Sequence, residues 1–166
     1  LYRHFNIDIN TEITLEANPD DLSKKKIKSL KKTPINRFSI GVQSFQDADL
    51  IFMNRAHNSN DAKNSIKRVQ DSGWKNITID LIYGTPTLSN ENWNDNIQTA
   101  INLSVPHISA YNLTVEKNTA LDHFIKSKKY PPIDEKKSIQ QFQHIMSALQ
   151  KADFIQYEIS NFSKKG

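Results

Sequence analysis

Residues 76–86 read NITIDLIYGTP. The apolar Ile77, Ile79, Leu81 and Ile82 predict a buried strand, and Gly84 with Pro86 predicts a tight turn that ends it. Asp80 stands in the middle of that strand. A carboxylate inside an apolar strand is costly unless a partner or water meets it. What Asp80 faces therefore decides what kind of sheet the chain builds.

Outward from this stretch, strand and helix patterns alternate. Residues 12–17 (EITLEA), 37–43 (RFSIGVQ), 107–114 (HISAYNLT) and 154–159 (FIQYEI) predict further strands. Helices are predicted from Asp20 or Asp21 to about Lys32, over 47–54, from Ser59 or Asn60 to Gly73, over 90–103 and near 119–127. A last helix runs from Asp134 to about Ala152, with Ile139, Phe142, Ile145, Met146 and Leu149 as its core stripe. Strands joined by helices imply right-handed crossovers, hence an α/β fold with a parallel sheet and outer helices.

Alternation along each strand then sorts the side chains. Ile13 and Leu15, Phe38, Ile40 and Val42, and Ile79, Leu81 and Tyr83 form one apolar face. The other face collects Thr14, Glu16, Ser39, Gly41, Gln43, Thr78 and Asp80, and with them Ala110 and Asn112 of the fourth strand. A closed (β/α)8 barrel fills its centre with Val, Ile and Leu. These small and polar residues cannot do that, so they predict part of an open, TIM-like barrel whose hollow holds water and a polar ligand. Glu16 and Asp80, acceptors when ionised, suit hydroxyls or an ammonium group. Arg55, after the second strand, suits a carboxylate, or else a surface ion pair with Asp47 or Asp49. An amino acid joined to a ribose fits that inventory.

The totals narrow the field. The chain has 166 residues, a net charge of +4 and no cysteine. That is one domain's length, with neither disulfides nor thiolate metal ligands of its own. No apolar run approaches a membrane span, and a cytoplasmic setting is expected. The lysine clusters, such as Lys24–Lys26 and Lys128–Lys129, lack interleaved aromatics and read as solvated faces, not a nucleic-acid surface. Four glycines leave no phosphate-loop fingerprint. The chain opens at Leu1 within what reads as a helix, and is taken to be a fragment.

Six stretches in order, EITLEANP (12–19), RFSIGVQSF (37–45), Arg55-Ala56-His57, NITIDLIYGTP (76–86), ISAYNLTVE (108–116) and QYEISNFS (156–163), resemble the radical S-adenosylmethionine family of oxygen-independent coproporphyrinogen III oxidases. The HemW branch of haem-chaperone-like members is the nearest in pattern. The resemblance implies an open (β/α)6 barrel in which Glu16, Gln43, Arg55, Asp80 and Ala110 contact S-adenosylmethionine. Carboxylates and the Gln amide would hold ribose hydroxyls and the amino group, Arg55 the methionine carboxylate, and Ala110 would leave room for the adenosyl group. The resemblance further implies a [4Fe-4S] cluster on a Cys-x3-Cys-x2-Cys loop and a glycine-rich segment, both upstream of Leu1, and an HNLxYW haem motif beyond Gly166. Residues 1–166 would then be one partial barrel domain, lacking the cluster-binding strands and the C-terminal domain and inactive alone.

The implied roles are haem binding and delivery to an acceptor protein or, alternatively, oxidative decarboxylation of coproporphyrinogen III. None of the five histidines is assigned as a haem ligand. An isolated fragment with an open first-strand edge is expected to be marginally stable or to associate weakly with itself.

Overall fold

The apolar half of each strand's alternation dictates where the helices go. A computed structural model describes residues 4–165; the helix expected to be under way at Leu1 falls outside them. Strands β1 (Thr14–Ala17), β2 (Arg37–Gln43), β3 (Ile77–Tyr83) and β4 (His107–Asn112) run parallel and adjacent, with crossovers between them. The helices are α1 (Lys24–Leu30), α2 (Asp47–Phe52), α3 (Ser59–Asp71), α4 (Asn90–Asn102), α5 (Ala120–Lys126) and α6 (Glu135–Lys151). Phe38, Ile40 and Val42 of β2, Ile77, Ile79 and Leu81 of β3 and Ile108 of β4 are buried in one core with Ile27, Ile66, Val69, Trp93, Ile97, Ile145 and Leu149 of the helices. Each such side chain contributes roughly 1.5–3 kcal/mol. The core lies on one face of the sheet, and the other face carries the polar half of the alternation.

Side-chain caps set the helix starts. Asn58 accepts the Asp61 amide while the Asp61 carboxylate accepts the Asn58 amide, so the capping box begins one residue before the expected Ser59. Ser23, not Asp20 or Asp21, caps α1, because Pro19–Asp21 is taken up by a 3-10 turn. Asp134 caps α6 as expected.

The core stripe of α6 differs from the expected one. Ile139 and Met146 are exposed, and Ser138, Gln141, Ile145 and Leu149 are buried. The Gln141 amide turns the helix this way: its Oε1 accepts the Gly84 amide at 2.8 Å, its Nε2 donates to the Leu88 carbonyl at 3.2 Å, and its own carbonyl accepts Trp93 Nε1 at 2.8 Å.

The end of the sheet also departs from expectation. Residues 154–159 do not form one more parallel strand beside β4. The chain makes β5 (Phe154–Tyr157), turns, and returns as β6 (Asn161–Lys164), which pairs antiparallel with both β4 and β5. The sheet order is β1-β2-β3-β4-β6-β5. Glu158 and Ile159 make the turn with φ of 45° and 60°. Neither residue type signals a left-handed turn, so the sequence pattern ran straight through it.

Candidate functional site

The uncovered face of the sheet is a trough of about 430 Å3. Register fixes its rows: Glu16 beside Ser39, Ser39 beside Thr78, and Asp80 beside Ser109. Neighbours in a parallel ladder share a face, so four strands deliver Glu16, Ser39, Asp80 and Ser109 to one hollow. At its N-terminal end Arg37 donates to Glu12 at 2.7 Å and, through Nε, to Thr78 Oγ1 at 3.1 Å. His107 Nε2 meets the Tyr157 hydroxyl there. Burial, and then the Arg37 charge, hold His107 below its ordinary pKa.

Asp80 is half-buried. Burial first, and then the Glu16 carboxylate, push it from 3.8 up to about 6. Ser109, Ser39 and the Arg37 guanidinium pull the other way without prevailing. Two carboxylates left to repel one another form a site for a cation or for hydroxyl donors.

The C-terminal rim is built differently. Gln43 has a φ of 66°, and the Ser44 amide donates to the Val42 carbonyl at 2.8 Å, so Gln43 is the centre of a classic γ-turn, a rare and strained conformation. Neighbours hold it there. His57 Nε2 also meets the Val42 carbonyl, at 3.0 Å. The Ser44 hydroxyl donates to buried Asp49 at 2.9 Å and accepts the Asn96 amide at 3.0 Å. Asp49 also accepts the hydroxyls of Thr85 and Thr87, tying this turn to the one after β3. Gly41 completes the cradle: a Cβ there would lie 2.8 Å from Gln43 Nε2. Arg55 Nη2 donates to Asn18 Oδ1 at 2.6 Å across the same spot.

Four of the five expected site residues therefore lie along one face: Glu16 and Asp80 in the trough, and Gln43 and Arg55 over Gly41 at its C-terminal end, where they line the neighbouring cavity. Ala110 does not. Its side chain is buried in the core beside Leu81, and Asn112 pairs with Tyr83 on the helix side. Alternation alone does not say which face of the fourth strand turns inward, and grouping Ala110 and Asn112 with the polar residues of the other strands sets it the wrong way round. Pairing of Asp80 with Ser109 reverses it, so His107, Ser109 and Tyr111 face the trough. Arg55 forms neither ion pair considered for it, since Asp47 accepts the Ser59 amide and Asp49 is taken by hydroxyls.

Asn18, His57 and Asp49 were not among the expected site residues. The γ-turn that makes them matter joins segments far apart in sequence. Among the described residues no group of His, Cys, Asp and Glu is arranged to hold a metal ion, and no helix is long and apolar enough to cross a membrane.

The family model described as the Radical SAM superfamily matches residues 2–100. The "Heme chaperone HemW" of Bacillus subtilis is 36% identical over 94% of this chain and 41% of its own length. That of Haemophilus influenzae is 37% identical over 99% of the chain and 42% of its length. The mitochondrial "Radical S-adenosyl methionine domain-containing protein 1" of Bos taurus is 31% identical over 95% of the chain and 36% of its length. Among solved structures, Escherichia coli coproporphyrinogen III oxidase superposes over 98% of this chain and 37% of that one, with a TM-score of 0.85 at 21% identity. At that identity the likeness shows the fold: a mostly parallel α/β sheet of the same barrel type, left open here. The chain thus spans about two fifths of the length of the relatives it matches.

Proposed function

From the premise that this chain belongs to the Radical SAM superfamily, we propose that it is the S-adenosylmethionine-holding part of a haem-handling protein of the HemW type. The observation that carries the reading is that Glu16 and Asp80 share one trough while Gln43 and Arg55 lie over Gly41 on the same sheet face, at the mouth of the neighbouring cavity. S-adenosylmethionine presents an ammonium, two ribose hydroxyls and a carboxylate. The paired carboxylates suit the first two as hydrogen-bond acceptors, and Arg55 suits the third. The absence of a side chain at Gly41 lets the Gln43 amide lie against the strand beside Arg55 and Asn18, and that amide suits a ribose hydroxyl.

The fit does not extend to an iron–sulfur cluster. The chain has no cysteine, so any [4Fe-4S] ligands belong to sequence beyond these 166 residues. With S-adenosylmethionine the cluster would supply the superfamily's adenosyl-radical chemistry; this chain's share is to bind and orient the cosubstrate. The haem cargo, a haem-acceptor partner, a cytoplasmic setting and a single partial-barrel domain belong to the same proposal. So does weak pairing of isolated copies through β1, which lies at one edge of the sheet. The chaperone reading takes precedence over porphyrinogen decarboxylation because the HemW relatives reach 36–37% identity, whereas the oxidase is alike in fold at 21%.

The test is titration with S-adenosylmethionine of the chain and of its Glu16→Ala and Asp80→Ala variants. Each substitution should weaken binding by about tenfold or more, the loss of one charge-assisted hydrogen bond. Unchanged affinity in both would remove the site.

A further inference from the structure

Two side chains of the segment between α2 and α3 reach back to the exit of β1. Arg55 Nη2 donates to Asn18 Oδ1 at 2.6 Å, and His57 Nδ1 lies 3.8 Å from Asp20 Oδ1. The His57 ring also reaches the end of β2, where Nε2 meets the Val42 carbonyl at 3.0 Å. One imidazole thus touches the exits of two adjacent strands, just ahead of the capping box that starts α3. The ring is fully buried, whereas the Asp20 side chain is exposed. It lines neither the trough nor the neighbouring cavity, so it touches no ligand in either.

The partners of the ring restrict its protons. A carbonyl only accepts, so Nε2 carries a hydrogen toward Val42. Nδ1 is buried without a hydrogen-bond partner and faces the Asp20 carboxylate, which when ionised also only accepts. A ring with one proton serves one of these acceptors and fails the other. A ring with two serves both, and the carboxylate offsets the charge that burial makes costly. What the ring holds is the strained turn at Gln43. The Val42 carbonyl accepts the Ser44 amide and His57 Nε2 together, which occupies both lone pairs. A residue in so rare a conformation stays there only while its surroundings over-determine it. That turn in turn lays the Gln43 amide over Gly41, where a Cβ would come 2.8 Å from Gln43 Nε2 and 3.6 Å from Arg55 Nη2.

We propose that His57 is a positioning residue for the cosubstrate site: bridged to Asp20, it fixes the Val42–Gln43 turn and so aims the Gln43 amide at the ligand. The inference rests on the S-adenosylmethionine reading above and adds to it a residue that acts only through another. Asp20 orients the ring from outside, as a carboxylate orients an imidazole whose other nitrogen is at work. Without His57 the buried Val42 carbonyl loses one of its two donors, and the turn loses one of the contacts that keep it strained. The Gln43 side chain then leaves its place beside Arg55, although both residues remain in the chain.

The experiment is calorimetric titration with S-adenosylmethionine of the chain and of His57→Ala, His57→Gln, Asp20→Asn and Gln43→Ala. His57→Ala and Asp20→Asn are also each combined with Gln43→Ala, and circular dichroism checks that every variant is folded. His57→Ala should weaken binding about tenfold, and Asp20→Asn about threefold. His57→Gln keeps an amide that can donate to the Val42 carbonyl, and should return affinity to within about threefold of the parent. In the Gln43→Ala background neither substitution should cost more than about twofold, because no amide is left to aim. Asp20→Asn changes an exposed side chain, so its comparison holds even where His57→Ala fails to fold. Losses of equal size with and without the Gln43 amide would mean general loosening of the fold and would overturn the assignment. Parent affinity in both His57→Ala and Asp20→Asn would overturn it as well. Binding that ignores His57 and Asp20 sinks this inference alone, whereas no binding by the unsubstituted chain sinks the proposed cosubstrate site and this role with it.

Discussion

Replacing Asp80 with Asn should stabilise the protein, and by an amount that depends on pH. The folded state raises this carboxyl from 3.8 to about 6, so it holds the proton more tightly than the unfolded chain does. Between about pH 4 and pH 6 the folded state then carries more protons than the unfolded state, and stability falls as pH rises. Below that window Asp80 is protonated in both states and costs nothing; above it the full penalty is present. The difference corresponds to about 3 kcal/mol at 1.36 kcal/mol per tenfold change in proton affinity. Water in the open trough screens the group, and we halve the figure to about 1.5 kcal/mol. Asp80→Asn keeps the shape and removes the charge. Urea denaturation of both proteins at pH 4, 5, 6, 7 and 8 should show the variant ahead by about 1.5 kcal/mol at pH 7–8 and level near pH 4. A difference independent of pH, or a variant less stable than its parent at pH 8, would refute the account of Asp80 as a carboxylate held against repulsion. Saturating S-adenosylmethionine should narrow the gap, since a bound cation removes the penalty from the unsubstituted protein alone.

Two further outcomes follow from the turns at the strand ends. Gln43→Gly should raise stability by about 1 kcal/mol, because glycine adopts a φ of 66° without strain, and should weaken S-adenosylmethionine at the same time; chemical denaturation beside a binding isotherm reads both, and a loss of stability would refute the strained turn. Gly84→Ala should destabilise by about 2–3 kcal/mol, since φ is +80° and the new methyl would lie 2.5 Å from Asn112 Oδ1 and 2.6 Å from Ser138 Oγ; an unchanged melting temperature would show that this turn has room to move.

Strand and helix order, the parallel crossovers and the polarity of one sheet face follow from alternation, because a strand's side-chain period is two whatever surrounds it. Thr14, Glu16, Ser39, Thr78 and Asp80 were therefore legible as one row of inward residues. The face of Ala110 was not: period two leaves each strand two choices, and only the ladder between Asp80 and Ser109 selects one. The reversal at Glu158–Ile159 was hidden because two poor turn formers are held left-handed by a hairpin whose second strand finds its partner in β4. The burial of Gln141 was hidden because its partners Gly84, Leu88 and Trp93 lie on other elements. The sequence by itself determined which residue types alternate and hence the fold class and the trough's chemistry. Tertiary structure decided which strand face points inward and how Gln43 is held in its turn, because each depends on contacts between segments that no local pattern records.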